Sequence, residues 1–164
     1  MSNRREFLVS TAAFAAVATM GLPLRAAGSF EITRTPEEWQ ARLSPARYAI
    51  LRLEATEKPY ANSYKGETSP LLKEARNGTY HCAGCDLDVY PSATKYDSKT
   101  GWPSFWNPIA GNVRYKGDKK LAVARTEVHC RRCGGHLGHV FNDGPQPTGK
   151  RHCLNGLSLH FKAA

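Results

Sequence analysis

Methionine is almost missing from this chain. Of 164 residues only Met1 and Met20 are methionine, so everything downstream is spared a common oxidative lesion. Long apolar runs are missing too. Val9 to Leu24 is rich in alanine and poor in charge, but it spans only 16 residues, against the ~20 that a membrane-crossing helix needs. No segment is of low complexity, and nothing repeats except a Cys-x-x-Cys pair, which excludes solenoids and linker-like tails. Acidic residues are outnumbered, 14 against 23 basic, for a formal net charge of +9. A charge of that sign suits nucleic acid or anionic lipid. Here the basic residues are scattered, so the charge reads as solubility and no nucleic-acid partner is expected. Cysteine is scarce as well, with five in all. An odd number in an exported protein leaves at least one thiol to be explained.

What the chain does have begins with an address. Arg4-Arg5-Glu6-Phe7-Leu8 precedes the Ala-rich stretch, and Arg25-Ala26-Ala27-Gly28 closes it with small residues. This charged, apolar, small-residue order is that of an export signal, and the paired arginines resemble the bacterial twin-arginine type. Residues 1–27 are therefore expected to be a cleaved signal and 28–164 the working domain. The implied location is the periplasm, reached through the twin-arginine export machinery. The alternative is an uncleaved anchor, which the short stretch makes marginal.

The domain opens with helices. Thr35-Pro36-Glu37-Glu38 combines an N-cap, a proline at the first helical position and a capping box. Trp39 and Leu43 share a face. Ser44-Pro45 starts a second helix, with Tyr48, Leu51 and Leu53 as its apolar stripe. Thr56 to Ser69 reads as a loop, and Leu71 to Arg76 as one or two helical turns stopped by Asn77-Gly78. From Thr79 the pattern changes to short strands separated by Gly, Pro, Asn and Asp. They run over Tyr80 to Val89, Val113 to Tyr115, Leu121 to Cys130, His139 to Phe141 and Leu154 to Phe161. The fold class is mainly β (α+β), with two or three N-terminal helices packed on antiparallel strands.

Four cysteines form two pairs, Cys82-Ala83-Gly84-Cys85 and Cys130-Arg131-Arg132-Cys133. Each pair can chelate from a turn, and together they complete a tetrahedral thiolate site for one structural Zn2+. Two disulfides are the alternative that an oxidising compartment favours, but bridges across such short loops seldom serve as staples. A rival set, Cys130, Cys133, His136 and His139, would strand Cys82 and Cys85. It also ignores the glycines that break up any helix able to present those ligands.

The fifth cysteine, Cys153, stands in Arg151-His152-Cys153-Leu154-Asn155. Alternation backward from Phe161 places Cys153 and Asn155 on the face of Leu157. Lys150, Arg151 and His152 flank the sulfur, and nearby cations lower a thiol's pKa toward the nucleophilic thiolate. A small core residue is the bland reading of such a cysteine.

Four motifs fall in a fixed order: Lys95-Tyr96-Asp97-Ser98, Gly101-Trp102-Pro103-Ser104-Phe105, His136-Leu137-Gly138-His139-Val140-Phe141-Asn142-Asp143-Gly144-Pro145, and Pro147-Thr148-Gly149-Lys150-Arg151-His152-Cys153-Leu154-Asn155. With Thr56-Glu57-Lys58-Pro59 and both cysteine pairs, they resemble the methionine-R-sulfoxide reductases over roughly residues 35–162. The resemblance implies two twisted antiparallel sheets with short N-terminal helices, and a structural zinc away from the active site. It implies Cys153 as nucleophile, His136, His139 and Asn155 as catalytic neighbours, Trp102 as the wall for the substrate's methyl group, and Arg151 as the cation beside the sulfur. One departure stands out. Where many members carry a second, resolving cysteine, this chain has Thr100.

The chemistry points the same way. A sulfoxide sulfur becomes electrophilic when its oxygen is protonated or hydrogen-bonded, so reduction needs a thiolate, an acid and an apolar wall. General-acid help of this kind is worth roughly 10²–10⁴-fold. The expected function is reduction of the R epimer of methionine sulfoxide in proteins or peptides by a monomer, recycled by a thioredoxin-like thiol. A zinc-ribbon module that binds protein or nucleic acid is the rival, but such a module needs neither Cys153 nor the paired histidines. A zinc hydrolase is excluded, because four thiolates leave no coordination position for water.

Overall fold

The computed structural model describes residues 30–118 and 124–164. The signal expected over 1–27, and the start of the strand expected from Leu121, lie outside the described residues. Among the described residues no helix is long and apolar enough to cross a membrane.

Helix α1 (Pro36–Arg42) forms where the capping box requires it. Thr35 Oγ1 accepts from Glu38 N, and Glu38 reaches back to Thr35 N. Helix α2 (Pro45–Leu53) is capped by Ser44 and ends where Glu54 turns left-handed. Its buried stripe is Ala46, Ala49, Ile50 and Leu51, while Leu53 faces solvent with 61% of its surface exposed. No helix forms at Leu71 to Arg76. The carbonyls of Leu72 and Glu74 accept from Lys95 Nζ instead, at 2.9 Å each, so a side chain takes the acceptors a helix would use.

The expected loop holds one two-residue hairpin, β1 (Ser63–Tyr64) with β2 (Glu67–Thr68). Then come β3 (Gly78–Cys82), β4 (Asp88–Pro91), β5 (Lys95–Tyr96), β6 (Ser104–Phe105), β7 (Val113–Asp118), β8 (Arg125–Cys130), β9 (His136–Phe141), β10 (Arg151–Leu154) and β11 (Leu159–Ala163). They make a six-stranded antiparallel sheet, ordered β5-β6-β10-β9-β8-β7, and a three-stranded one, β11-β3-β4. The core lies between the sheets. Tyr80 and Tyr90 of the small sheet meet Phe105 of the large one, with ring centroids 4.9 and 4.7 Å apart. Leu137, Leu154 and Leu159 are fully buried in the same cluster.

The strand expected over Leu154 to Phe161 is two strands split by a 3-10 turn at Gly156–Ser158. The cause is Glu57, a nearly fully buried carboxylate that accepts from Gly156 N and Leu157 N. Its grip bends the chain inward, so Leu157 is buried without sharing a strand with Cys153. On β10 itself, His152 and Leu154 point to the core and Arg151 and Cys153 to the partly open face.

Candidate active site and metal centre

Directly opposed residues in a sheet share a face. Reading across the large sheet, Tyr96 opposes Ser104, Ser104 opposes Cys153, Cys153 opposes His139, His139 opposes Glu127, and Glu127 opposes Lys116. One polar row therefore runs over six strands with the thiol near its middle. A bulge adds His136 to that face. β9 carries one more residue than β8 between the Val128–Gly138 and His129–His136 pairs. Such an extra residue turns a three-residue separation into a shared face, and the His136 and His139 rings meet edge to face at 5.3 Å.

Cys153, His139, Trp102 and Asn155 line a small cleft of about 110 Å³ together with Phe141, Thr56 and Arg125. Trp102 is held by its indole Nε1, which donates to Glu57 O at 3.1 Å. His139 Nε2 pairs with Asp118 Oδ2 at 2.8 Å, and Arg125 holds the same oxygen at 2.8 Å. Burial lowers the His139 pKa, with Asp118 opposing. His136 does not line this cleft. It is buried behind, with Nδ1 3.0 Å from Glu127 Oε1, and opens on a different cavity shared with Phe30 and Leu51. The Asn155 amide is also spoken for: Oδ1 accepts from Glu57 N at 3.0 Å, and Nδ2 donates to Leu137 O at 3.4 Å.

Of the three cations expected to activate the thiol, only Arg151 acts on it, and Arg151 is shared with Asp143. Arg151 makes a two-pronged pair with Asp143 at 2.9 and 2.8 Å and stacks on Phe141. Lys150 Nζ donates to Asn142 Oδ1. His152 lies on the core side against Tyr90 Oη at 2.9 Å, and burial, seconded by Lys150, pushes its pKa down to about 4. The net direction for Cys153 is upward. Burial raises its pKa, against lowering by a hydrogen bond from Thr100, the charge of Arg151 and hydrogen bonds from Ser104 and Arg151. The expectation of a cation-lowered thiol is corrected on that ground: desolvation outweighs one partly neutralised arginine.

The four paired cysteines converge at the other end of the sheets. Their sulfurs all lie within 4.8 Å of one another. Between the pairs, the Cys82 and Cys133 sulfurs lie 3.7 Å apart and those of Cys85 and Cys130 3.5 Å. Around an ion with metal–sulfur bonds of ~2.3 Å, a tetrahedron has edges of about 3.8 Å. The thiolate set thus fits a structural zinc. All five cysteines are free thiols, and His136 and His139 belong to the other face, which removes both the disulfide reading and the mixed Cys-His set.

Sequence reasoning gave no role to Glu57, Ser98, Ser104, Asp118 or Glu127. Glu57 was visible inside its matched motif, but its contacts span about a hundred positions.

Comparison with known proteins adds three findings. The family model described as the SelR domain matches residues 43–163. A peptide methionine sulfoxide reductase MsrB of Pseudomonas putida is 47% identical over 133 residues, covering 80% of this chain and 95% of the relative. Relatives with the same name from Leptospira interrogans and Methanosarcina barkeri are 44% and 45% identical, covering 98% and 88% of their own lengths.

Proposed function

This chain belongs to the SelR-domain family of methionine-R-sulfoxide reductases, and from that premise we propose how its cleft works. The observation that carries the proposal is the meeting of the Cys153 thiol, the Trp102 indole and the His139 imidazole in one small cleft. The substrate is the R epimer of methionine sulfoxide in a protein or peptide. Its methyl group packs on Trp102, and its oxygen turns toward His139, which takes up the proton that Cys153 gives up and passes it to that oxygen. The Cys153 thiolate attacks the sulfoxide sulfur. Net transfer of the oxygen leaves methionine and a Cys153 sulfenic acid: the substrate sulfur gains two electrons and the cysteine sulfur loses two. An external thiol then condenses with the sulfenic acid, releasing water and forming a mixed disulfide. A second thiol frees Cys153 and leaves as the external disulfide.

Arg151 and Asn155 act as supports. Arg151 contributes its charge beside the sulfur, and Asn155 keeps the Glu57 loop, and through it Trp102, in place. His136 assists from behind His139. Cys82, Cys85, Cys130 and Cys133 would hold one zinc, which supplies structure and closes its shell to water. Recycling falls to an outside, thioredoxin-like protein, because Cys153 is the one thiol not in the metal set.

Turnover of separated epimers tests this reading. The R epimer is expected to be reduced and the S epimer spared. Without reductant, one thiol is consumed per turnover and dimedone traps a sulfenic acid. Reduction of the S epimer, or activity surviving Cys153→Ser, would overturn it. The N-terminal pattern supports export by the twin-arginine route to the periplasm. Replacing Arg4 and Arg5 by Lys is expected to leave the precursor in the cytoplasm, and normal periplasmic yield would contradict that route.

A further inference from the structure

The loop before Trp102 carries a chain of hydroxyls that ends at Cys153. Lys99 and Gly101 are both left-handed, with φ of 59° and 88°, and Asp97 Oδ1 accepts from Lys99 N at 3.0 Å. This turn sends the Lys99 side chain to solvent and brings Ser98 and Thr100 inward. Thr100 Oγ1 stands 3.8 Å from Cys153 Sγ, Ser98 Oγ 2.8 Å from Thr100 Oγ1, and Ser104 Oγ 2.7 Å from Ser98 Oγ. Ser104 Oγ is also 3.2 Å from the Trp102 carbonyl oxygen. The links run unbroken from the sulfur to a backbone acceptor.

Proton counting gives the chain two directions. Each hydroxyl owns one proton and can also accept. With Cys153 protonated, four protons serve four links: the thiol donates to Thr100, Thr100 to Ser98, Ser98 to Ser104, and Ser104 to the Trp102 carbonyl. Once the thiol proton has left for solvent, three protons remain. A thiolate can only accept, and a hydrogen bond to a charged group is worth more than one to a neutral carbonyl. Thr100 and Ser104 therefore both turn to the sulfur and Ser98 to Thr100, and the link to the Trp102 carbonyl is the one released.

We propose that Ser98, Thr100 and Ser104 form a reversible hydroxyl chain whose direction follows the ionisation of Cys153, with Thr100 as a donor that holds the thiolate. The surroundings call for one. The charged and titratable groups that face the sulfur are Arg151 on its own strand, His139 on β9 and Tyr96 on β5. Arg151 reaches the sulfur but is shared with Asp143, and His139 is held by Asp118. The residue at the place of a resolving cysteine thus takes on a second task, stabilising the nucleophile it cannot resolve. This rests on Cys153 being the nucleophile.

The test is the pH dependence of iodoacetamide alkylation at Cys153 in the purified protein, read by mass on the Cys153 peptide. Thr100→Val keeps the shape and removes the donor. Its ionisation midpoint is expected to rise by about one pH unit, with alkylation about tenfold slower below it. Thr100→Ser should keep the wild-type midpoint. Ser98→Ala separates the chain from simple packing. It takes away Thr100's acceptor in the thiol state but leaves the Thr100 donor in the thiolate state, so its midpoint stays or falls. An unchanged midpoint in Thr100→Val, or equal rises in Thr100→Val and Ser98→Ala, would overturn the proposal. The readout is ionisation and not turnover, so failure of the reductase reading shows separately in the epimer assay.

Discussion

His152 is one residue from Cys153, yet it points the other way and carries no charge at neutral pH. Its ring is buried against Tyr90 Oη, and its pKa falls from 6.5 to about 4. A histidine depressed in the folded state binds its proton more readily when unfolded. Its contribution to stability is therefore complete above about pH 6.5 and lost as pH falls toward 4. By pH 5 the loss from this one group is roughly 2 kcal/mol. Urea unfolding at pH 7 and pH 5 is expected to show that loss in the wild type and a smaller one in His152→Gln. An equal pH dependence in both proteins would show that His152 is not buried as a neutral group. The same residue marks a limit of sequence reading. Charge type at positions 150–152 was legible, but which side chains reach the sulfur depended on strand facing and on Asp143 and Asn142.

β9 and β10 together set the cleft, and their contact depends on a glycine. Gly138 opposes Leu154, and a Cβ built there would lie 2.1 Å from Cys153 O and 2.8 Å from Leu154 Cα. Both are backbone atoms, so relief requires the strands to part beside Cys153. Gly138→Ala is expected to cost about 2–3 kcal/mol, as overpacking does, and to lower kcat/KM at least tenfold by moving Cys153 away from His139 and Trp102. Gly117→Ala is the control, since nothing lies within 4 Å of its added Cβ. If Gly138→Ala unfolds and turns over like Gly117→Ala, the account of that strand contact is wrong. Helices α1 and α2 were legible in the sequence because their caps are local. The short strands β1, β2, β5 and β6 were not, because two-residue strands are specified by partners rather than by their own periodicity.

The core lies between the six-stranded and the three-stranded sheet, and the cysteine centre lies where their ends meet. Cys82 ends β3 of the small sheet, and Cys130 ends β8 of the large one. A metal there would join turns 44 residues apart in sequence and remove loop-closure entropy from the unfolded chain. Elemental analysis is expected to find one zinc per chain. Chelation should lower Tm and loosen the packing of Tyr80 and Tyr90 on Phe105, and Cys82→Ser should lose both the metal and most of the soluble protein. Active protein free of zinc would remove the centre from the account. By itself the sequence determined the two Cys-x-x-Cys pairs, the lone fifth cysteine, the capped helices and the order of the matched motifs, because residue spacing, capping and motif identity are local chemistry. Only the tertiary structure decided that His139 and not His136 lines the cleft, that Glu57 bends the chain after Cys153, and that Ser98, Thr100 and Ser104 link to the sulfur. Those contacts join residues up to about a hundred positions apart, and facing and burial exist only once the strands have paired.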